Sequence, residues 1–239
     1  MKIALIGYGK MGKAIEEIAI SRGHEIILKV GIENLEDNTI EKIRVADVAI
    51  EFTGPESAWE NVRRCMDAGV PVVCGSTGWL QHLDEAKAHS LQSNTAFLYA
   101  SNFSIGVNIF FAVNRQLARL MNSQPGYDVN ITEIHHTEKK DAPSGTAITL
   151  AEQIMQNISS KKKWVNQPTS ERSELSIISE RVDPAPGTHT IRYHSEIDDI
   201  EITHTAHNRK GFASGAVQAA EFITDKKGVF NMNDVLGID

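Results

Sequence analysis

The strongest constraint on what this chain can fold into is a glycine turn, Gly7-Tyr8-Gly9-Lys10-Met11-Gly12, set between an apolar run over 2–6 and a helical pattern over 11–22. In a strand–turn–helix unit of this spacing the first glycine permits the tight turn. The second lets the backbone approach a pyrophosphate, and the third lets the helix pack close to the strand. The helix start adds N–H groups without partners and a partial positive charge. Glu33 lies about 20 residues beyond Gly12, after a second apolar run over 25–30, where a carboxylate can accept hydrogen bonds from an adenosine ribose. Gly7, Tyr8, Gly9, Lys10, Met11, Gly12 and Glu33 are thus candidate dinucleotide contacts. Lys10 can neutralise the pyrophosphate or reach the 2′-phosphate of NADPH, whereas Glu33 repels that phosphate and Asn34 adds no compensating charge. The balance tilts towards NADH and leaves NADPH open.

Three more apolar runs, over 46–52, 70–74 and 96–100, alternate with helical patterns over 56–68 and 80–93. Such alternation predicts an α/β unit, a Rossmann-type doubly wound parallel sheet. The 34–45 stretch is polar and short, so any crossover helix there is small or absent. Ligands of these sheets bind beyond the carboxyl ends of the strands. The turns Thr53-Gly54-Pro55 and Gly75-Ser76-Thr77-Gly78 are therefore candidates to line the nicotinamide half of the cofactor, although plain strand-to-helix caps explain them equally well. Ala100-Ser101-Asn102-Phe103 suits both a cofactor wall and a hinge.

From residue 104 the pattern changes. An apolar-rich helix is predicted over 104–121, a strand over 127–134 and a second helix over 143–158 with Pro143 near its first turn. The lysines at 161–163 and the polar 166–170 segment read as a solvated loop. Alternating runs over 174–182, 188–195 and 200–207, with turns at 184–187 and at Asp198-Asp199, predict a mixed or antiparallel sheet of about four strands with helices on one face. This is an α+β substrate domain with an open mixed sheet. The helical run over 213–224 is expected to return to the first unit. The division is a cofactor unit of 1–103 with 213–239 and a substrate-binding and oligomerisation unit of 104–212.

With 239 residues, 41% of them hydrophobic and 23% charged, the chain has the composition of a soluble globular protein. Nothing approaches the roughly 18 apolar residues of a membrane span, and the apolar run after Lys2 is too short for a signal peptide. Two cysteines, Cys65 and Cys74, form neither a disulfide framework nor a CxxC pattern. A cytoplasmic setting is expected. The net charge of -7 argues against a nucleic-acid partner.

The second chemical signal is Glu133-Ile134-His135-His136-Thr137-Glu138-Lys139-Lys140-Asp141-Ala142-Pro143-Ser144-Gly145-Thr146-Ala147. A strand ends in two histidines, a lysine follows closely, and Ser-Gly-Thr opens a helix whose first amides can hold an anion. Lysine and histidine supply charge and transferable protons, and the Gly145 and Thr146 amides with the Thr146 hydroxyl can clamp a carboxylate. A dianionic substrate suits this set. A zinc site does not, because no third ligand has suitable spacing, and no metal is expected. His204, His207 and Arg209 near the end of the last strand are placed to add charge there or to serve structure alone.

Together with GYGKMG, EFTGP, CGSTGW, SNFSIGVN, GTHTIRY, EITHTAHNR and FASGAV, in that order over essentially the whole chain, this string resembles the dihydrodipicolinate reductase (4-hydroxy-tetrahydrodipicolinate reductase) family. The resemblance implies NADH- or NADPH-dependent reduction of 4-hydroxy-tetrahydrodipicolinate to tetrahydrodipicolinate with loss of water, on the diaminopimelate route to lysine. It implies a Rossmann domain joined by two hinges to a substrate domain whose open sheets pair in a homotetramer. It further implies that His135 is the acid/base histidine, Lys139 the proton donor, His136 a substrate contact, and Gly145 with Thr146 the carboxylate clamp. Gly75, Ser76, Thr77, Ala100, Ser101, Asn102 and Phe103 join the glycine turn and Glu33 as cofactor contacts. Another two-domain dehydrogenase of amino or imino acids would explain the glycine turn but not the histidine–lysine string. A non-catalytic dinucleotide sensor would have no need of the proton donors.

Overall fold

The computed structural model describes residues 1–208 and 210–238. In chain order the elements are β1 (Lys2–Ile6), α1 (Lys10–Ser21), β2 (Glu25–Val30), α2 (Ile40–Ile43), β3 (Val48–Glu51), α3 (Ala58–Asp67), β4 (Val72–Cys74), α4 (Leu83–Ser93), β5 (Ala96–Tyr99) and α5 (Ile105–Met121). There follow β6 (Asp128–His135), α6 (Gly145–Asn157), β7 (Lys163–Val165), β8 (Glu174–Arg181), β9 (Thr188–His194), β10 (Asp199–Thr205), α7 (Lys210–Ile223), β11 (Gly228–Phe230) and α8 (Met232–Leu236). The chain forms two compact units, Met1–Asn108 with Lys210–Asp239, and Ile109–Arg209.

The first unit is a six-stranded parallel sheet in the order β11-β5-β4-β3-β1-β2. Its inner strands are apolar but for Lys2 and Glu51 because helices cover both faces: α1 and α7 pack on one core, α3 and α4 on another. Register pairs Ile6 with Val30 and with Glu51, Glu51 with Cys74, and Cys74 with Tyr99. The carboxyl ends of five strands therefore align, and the loops beginning at Gly7, Gly31, Phe52, Gly75 and Ala100 emerge along one edge.

Between β2 and β3 the crossover consists of a 3₁₀ turn, Leu35–Asp37, and the single-turn α2, as the polar 34–45 stretch led one to expect. The returning helix α7 buries Ala213, Ala216, Val217, Ala220 and Ile223 in the core of this unit. After it, β11 adds a strand beside β5, pairing Gly228 with Ala96. Three residues are too few to show a period, which is why that strand is silent in the sequence.

The second unit is a mixed five-stranded sheet in the order β10-β9-β6-β8-β7, parallel at β6/β8 and β7/β8 and antiparallel at β6/β9 and β9/β10. One face is packed: Phe110 and Ala118 of α5 and Leu150, Ala151 and Ile154 of α6 cover Val129, Ile131, Leu175, Ile177 and Ile191.

The lysine run departs from the expected solvated loop. Lys161 is 4% exposed, and its ammonium donates to the Glu174 carbonyl at 2.7 Å and pairs with Asp128 at 2.6 Å. A cation is tolerated in the interior only when paired in this way. Lys163–Val165 is the fifth strand of the sheet rather than loop. Pro143 lies before α6, not inside its first turn, because Ser144 takes the N-cap position.

Candidate active site

In the first unit the glycine turn fits a pyrophosphate. Gly7 has φ +104°, and a Cβ there would lie 2.1 Å from the Phe52 carbonyl oxygen, so no other residue fits. A Cβ on Gly12 would lie 2.3 Å from the Gly7 oxygen, whereas nothing stands within 4 Å of one on Gly9. The turn is thus closed against its own strand and helix and open at Gly9, where α1 begins. Lys10 is exposed and Met11 packs on the core. The Tyr8 hydroxyl donates to Glu16, which also pairs with Lys29 at 3.2 Å. Glu33 is exposed just after β2. Asn34 is committed to the turn: its oxygen accepts from Gly31 N at 2.8 Å and its amide donates to the Lys29 carbonyl at 2.9 Å and to Asp37 at 2.8 Å.

Glu51 is fully buried at the end of β3, and its carboxylate accepts from Thr53 N, Ser76 Oγ and Cys74 Sγ at 3.0 Å each, and from the Thr53 hydroxyl. Burial pushes its pKa up against those hydrogen bonds. One carboxyl group therefore ties together the turns at Thr53 and Gly75–Thr77. Ser76 is buried and Thr77 exposed. Ala100 is half-buried and Ser101 exposed; Asn102 accepts from Ser104 N at 2.8 Å, and Phe103 is buried against Phe52 with ring centroids 5.6 Å apart.

In the second unit, β6 buries positions 129, 131, 133 and 135, so Glu133 and His135 follow Val129 and Ile131 onto the core face. Glu133 Oε1 accepts from Ser144 N at 2.9 Å and from the Ser179 hydroxyl at 2.7 Å. Its Oε2 lies 3.4 Å from His135 Nδ1 and 3.6 Å from His189 Nε2. Burial alone would raise the Glu133 carboxyl; His189, Ser144 and Ser179 together outweigh it and hold the group well below the usual carboxylate range. His135 moves the opposite way: burial lowers its pKa to about 4, against the pull of the Glu133 charge. Sequence spacing offered no third partner beside the paired histidines. Folding supplies one from another strand, since His189 is the cross-strand neighbour of Glu133 and the donor atoms of Glu133, His135 and His189 all lie within 4.8 Å of one another.

Lys139 Nζ sits 2.8 Å from both carboxylate oxygens of Asp141 and holds that carboxyl below its ordinary range. Arg181, on β8, donates to the carbonyls of Lys139 at 3.3 Å and Asp141 at 2.6 Å, and lies 3.6 Å from Glu133. At the start of α6 the Ser144 hydroxyl accepts from Ala147 N at 3.2 Å, and the amides of Gly145 and Thr146 precede any intrahelical partner. His136, Thr137, Asp183, Pro184, Pro186 and Asn208 line a cavity of about 480 Å³. His204 is the cross-strand partner of His189 and half-buried, His207 is exposed, and Arg209 lies outside the described residues.

The family model for the N-terminus of dihydrodipicolinate reductase matches residues 1–103, and that for its C-terminus matches residues 106–236. The chain is 48% identical over 236 residues to the 4-hydroxy-tetrahydrodipicolinate reductase of Christiangramia forsetii, covering 99% of this chain and 98% of the relative. It is 33% identical over 231 residues to that of Neisseria meningitidis serogroup B, covering 94% and 84%. Among solved structures, the dipicolinate-bound dihydrodipicolinate reductase from Paenisporosarcina sp. TG-14 matches with a TM-score of 0.78 at 22% identity over 98% of each chain, a likeness of fold.

Proposed function

The chain belongs to the dihydrodipicolinate reductase family, and from that premise we propose how its residues divide the reaction. The enzyme reduces 4-hydroxy-tetrahydrodipicolinate to tetrahydrodipicolinate with a nicotinamide dinucleotide as reductant, in the diaminopimelate route to lysine. When bound, the reduced nicotinamide supplies a hydride to ring C4 of the unsaturated imine left when the 4-hydroxyl departs as water. The first unit, Met1–Asn108 with Lys210–Asp239, is the cofactor unit, and Ile109–Arg209 binds the substrate, boundaries a few residues from the 1–103 with 213–239 and 104–212 expected from the sequence.

The observation that carries the site assignment is the network around Glu133, which joins the ends of β6 and β8 to the Lys139 loop and the start of α6. The Gly145 and Thr146 amides, with the Thr146 hydroxyl, hold one substrate carboxylate at the helix N-terminus. His136 and Lys139 face the other negative charge. Reduction at a carbon conjugated with C=N builds negative charge on the ring, and a proton must arrive with it. With a pKa of about 4, His135 is a neutral imidazole at physiological pH and has no extra proton to give. Lys139, paired with Asp141 until the substrate arrives, is the proton donor, and His135 orients the ring by hydrogen bonding.

The cofactor preference is NADH. Glu33, exposed just after β2, carries a charge that repels a 2′-phosphate, Asn34 is used inside its own turn, and Lys29 is paired with Glu16. The exposed face of the second sheet supports a homotetramer formed by sheet pairing. The biosynthetic role and the two unpaired buried cysteines support a cytoplasmic location.

The test is oxidation of NADH and NADPH in the presence of freshly made product of dihydrodipicolinate synthase. Consumption is expected, with KM for NADPH at least about tenfold above that for NADH, the loss of one charge-compatible contact. Equal Michaelis constants would remove the NADH preference, and binding without consumption would remove the reaction.

A further inference from the structure

We propose that Glu133 is the positioning residue of the reductase site: one buried carboxylate that sets the orientation of His135, the first turn of α6 and the loop carrying Lys139. This rests on the reading of His135, Lys139 and the α6 amides given above. Glu133 touches neither substrate nor cofactor in that reading; it is 0% exposed and acts through its neighbours.

Three contacts carry the argument. Towards His135, Oε2 lies 3.4 Å from Nδ1 without hydrogen-bond geometry, so it is the charge of the carboxylate that favours the tautomer with its proton on Nδ1 and leaves Nε2 as the acceptor. His189 approaches the same oxygen at 3.6 Å and meets the His135 ring edge-on, centroids 5.1 Å apart, which limits the rotation of both imidazoles. Towards α6, Oε1 receives the backbone N–H of Ser144, the residue whose hydroxyl caps the helix, so the position of the anion-holding amides is fixed from behind. Towards the Lys139 loop, Oε1 faces Arg181 at 3.6 Å, and that guanidinium grips the carbonyls on either side of Lys140. A fully buried carboxylate is costly unless paired and hydrogen-bonded. Here His135, the Ser144 amide and Arg181, three of its partners, belong to the site or hold it, so the buried charge serves the site as well as the core.

The experiment compares wild type with Glu133→Gln, which keeps the shape and the acceptor for Ser144 N while removing the charge. At pH 7, ¹⁵N-histidine NMR of wild type is expected to show His135 protonated on Nδ1, and of Glu133→Gln a shift towards Nε2. In kinetics, kcat is expected to fall on the order of 10²-fold, the scale of a small misplacement of a reacting group. KM for NADH, set by the other unit, stays at its wild-type value. On a His135→Asn background the same substitution is expected to lose the share of its effect that runs through His135 and to keep the share that runs through Arg181 and the Lys139 loop, so the loss is smaller than in wild type. An unchanged tautomer, an unchanged kcat, or an equal loss on the His135→Asn background overturns the proposal. Should Glu133→Gln not fold, Arg181→Gln tests the loop arm of the network by the same kcat and NADH readouts, with unchanged kcat again overturning it. A wild type that failed to oxidise NADH or NADPH would refute the reaction, whereas the tautomer measurement would still decide the positioning role.

Discussion

His135 and Lys139 sit four positions apart and meet opposite environments. The imidazole is buried beside its carboxylate and held near pKa 4, while the ammonium reaches the edge of the fold and pairs with Asp141. Lys139→Ala removes the proton donor and is expected to lower kcat on the order of 10² to 10⁴-fold with KM for NADH unchanged, measured in steady-state assays. The His135 environment also makes a stability statement. A histidine whose folded pKa lies below its unfolded value of about 6.5 favours the fold fully above that value. The contribution is lost as pH falls from there through about 4. The loss is on the order of 3 kcal/mol at most, and His204, lowered by burial, adds to the same slope. Denaturant midpoints at pH 7 and pH 4.5 are expected to differ less in His135→Asn than in wild type.

At the scale of elements, α7 is decided by one close approach. A Cβ on Gly215 would lie 1.8 Å from the Phe103 carbonyl oxygen, so backbone must move to admit it. Alanine usually favours a helix over glycine, but overpacking here is expected to destabilise Gly215→Ala by about 1–3 kcal/mol. Gly211→Ala, with only Ser104 Oγ at 3.7 Å, is the control that denaturant melts should leave near wild type.

The same elements show what could be read beforehand. The glycine turn, the alternation of strands and helices and the returning helix were legible because each has a local pattern. The chemistry of the histidine–lysine string was legible because its residues are contiguous. Glu133 carried a usable signal, since the period-2 row Val129, Ile131, Glu133, His135 puts two ionisable groups on a core face. Its partners did not: His189, Ser179 and Arg181 arrive on other strands, through pairings such as Glu133 with His189 that no local window contains. Lys161 looks solvated in the sequence because composition cannot reveal that Asp128 and the Glu174 carbonyl are its partners.

For the molecule as a whole, the proposed tetramer is tested on the outer face of the second sheet. Asn130, Thr132, Ile134, Ser176, Ile178 and Thr190 alternate with the core residues of their strands, and none joins the packed cluster. A row of threonine, serine and isoleucine suits pairing with a second such sheet. Sedimentation velocity is expected to give a species of four times the chain mass, and Ile178→Asp to shift it to smaller species.

Cys65 and Cys74 lie wholly inside the first unit, and the Cys74 thiol donates to the buried Glu51. Burial, with the Glu51 charge adding to it, raises both thiols far above their ordinary value, which leaves almost no thiolate at neutral pH. Alkylating reagents can therefore reach either sulfur only when this unit opens. Thiol labelling becomes a clock for the opening of the cofactor unit, and it registers nothing while the sheet stays closed.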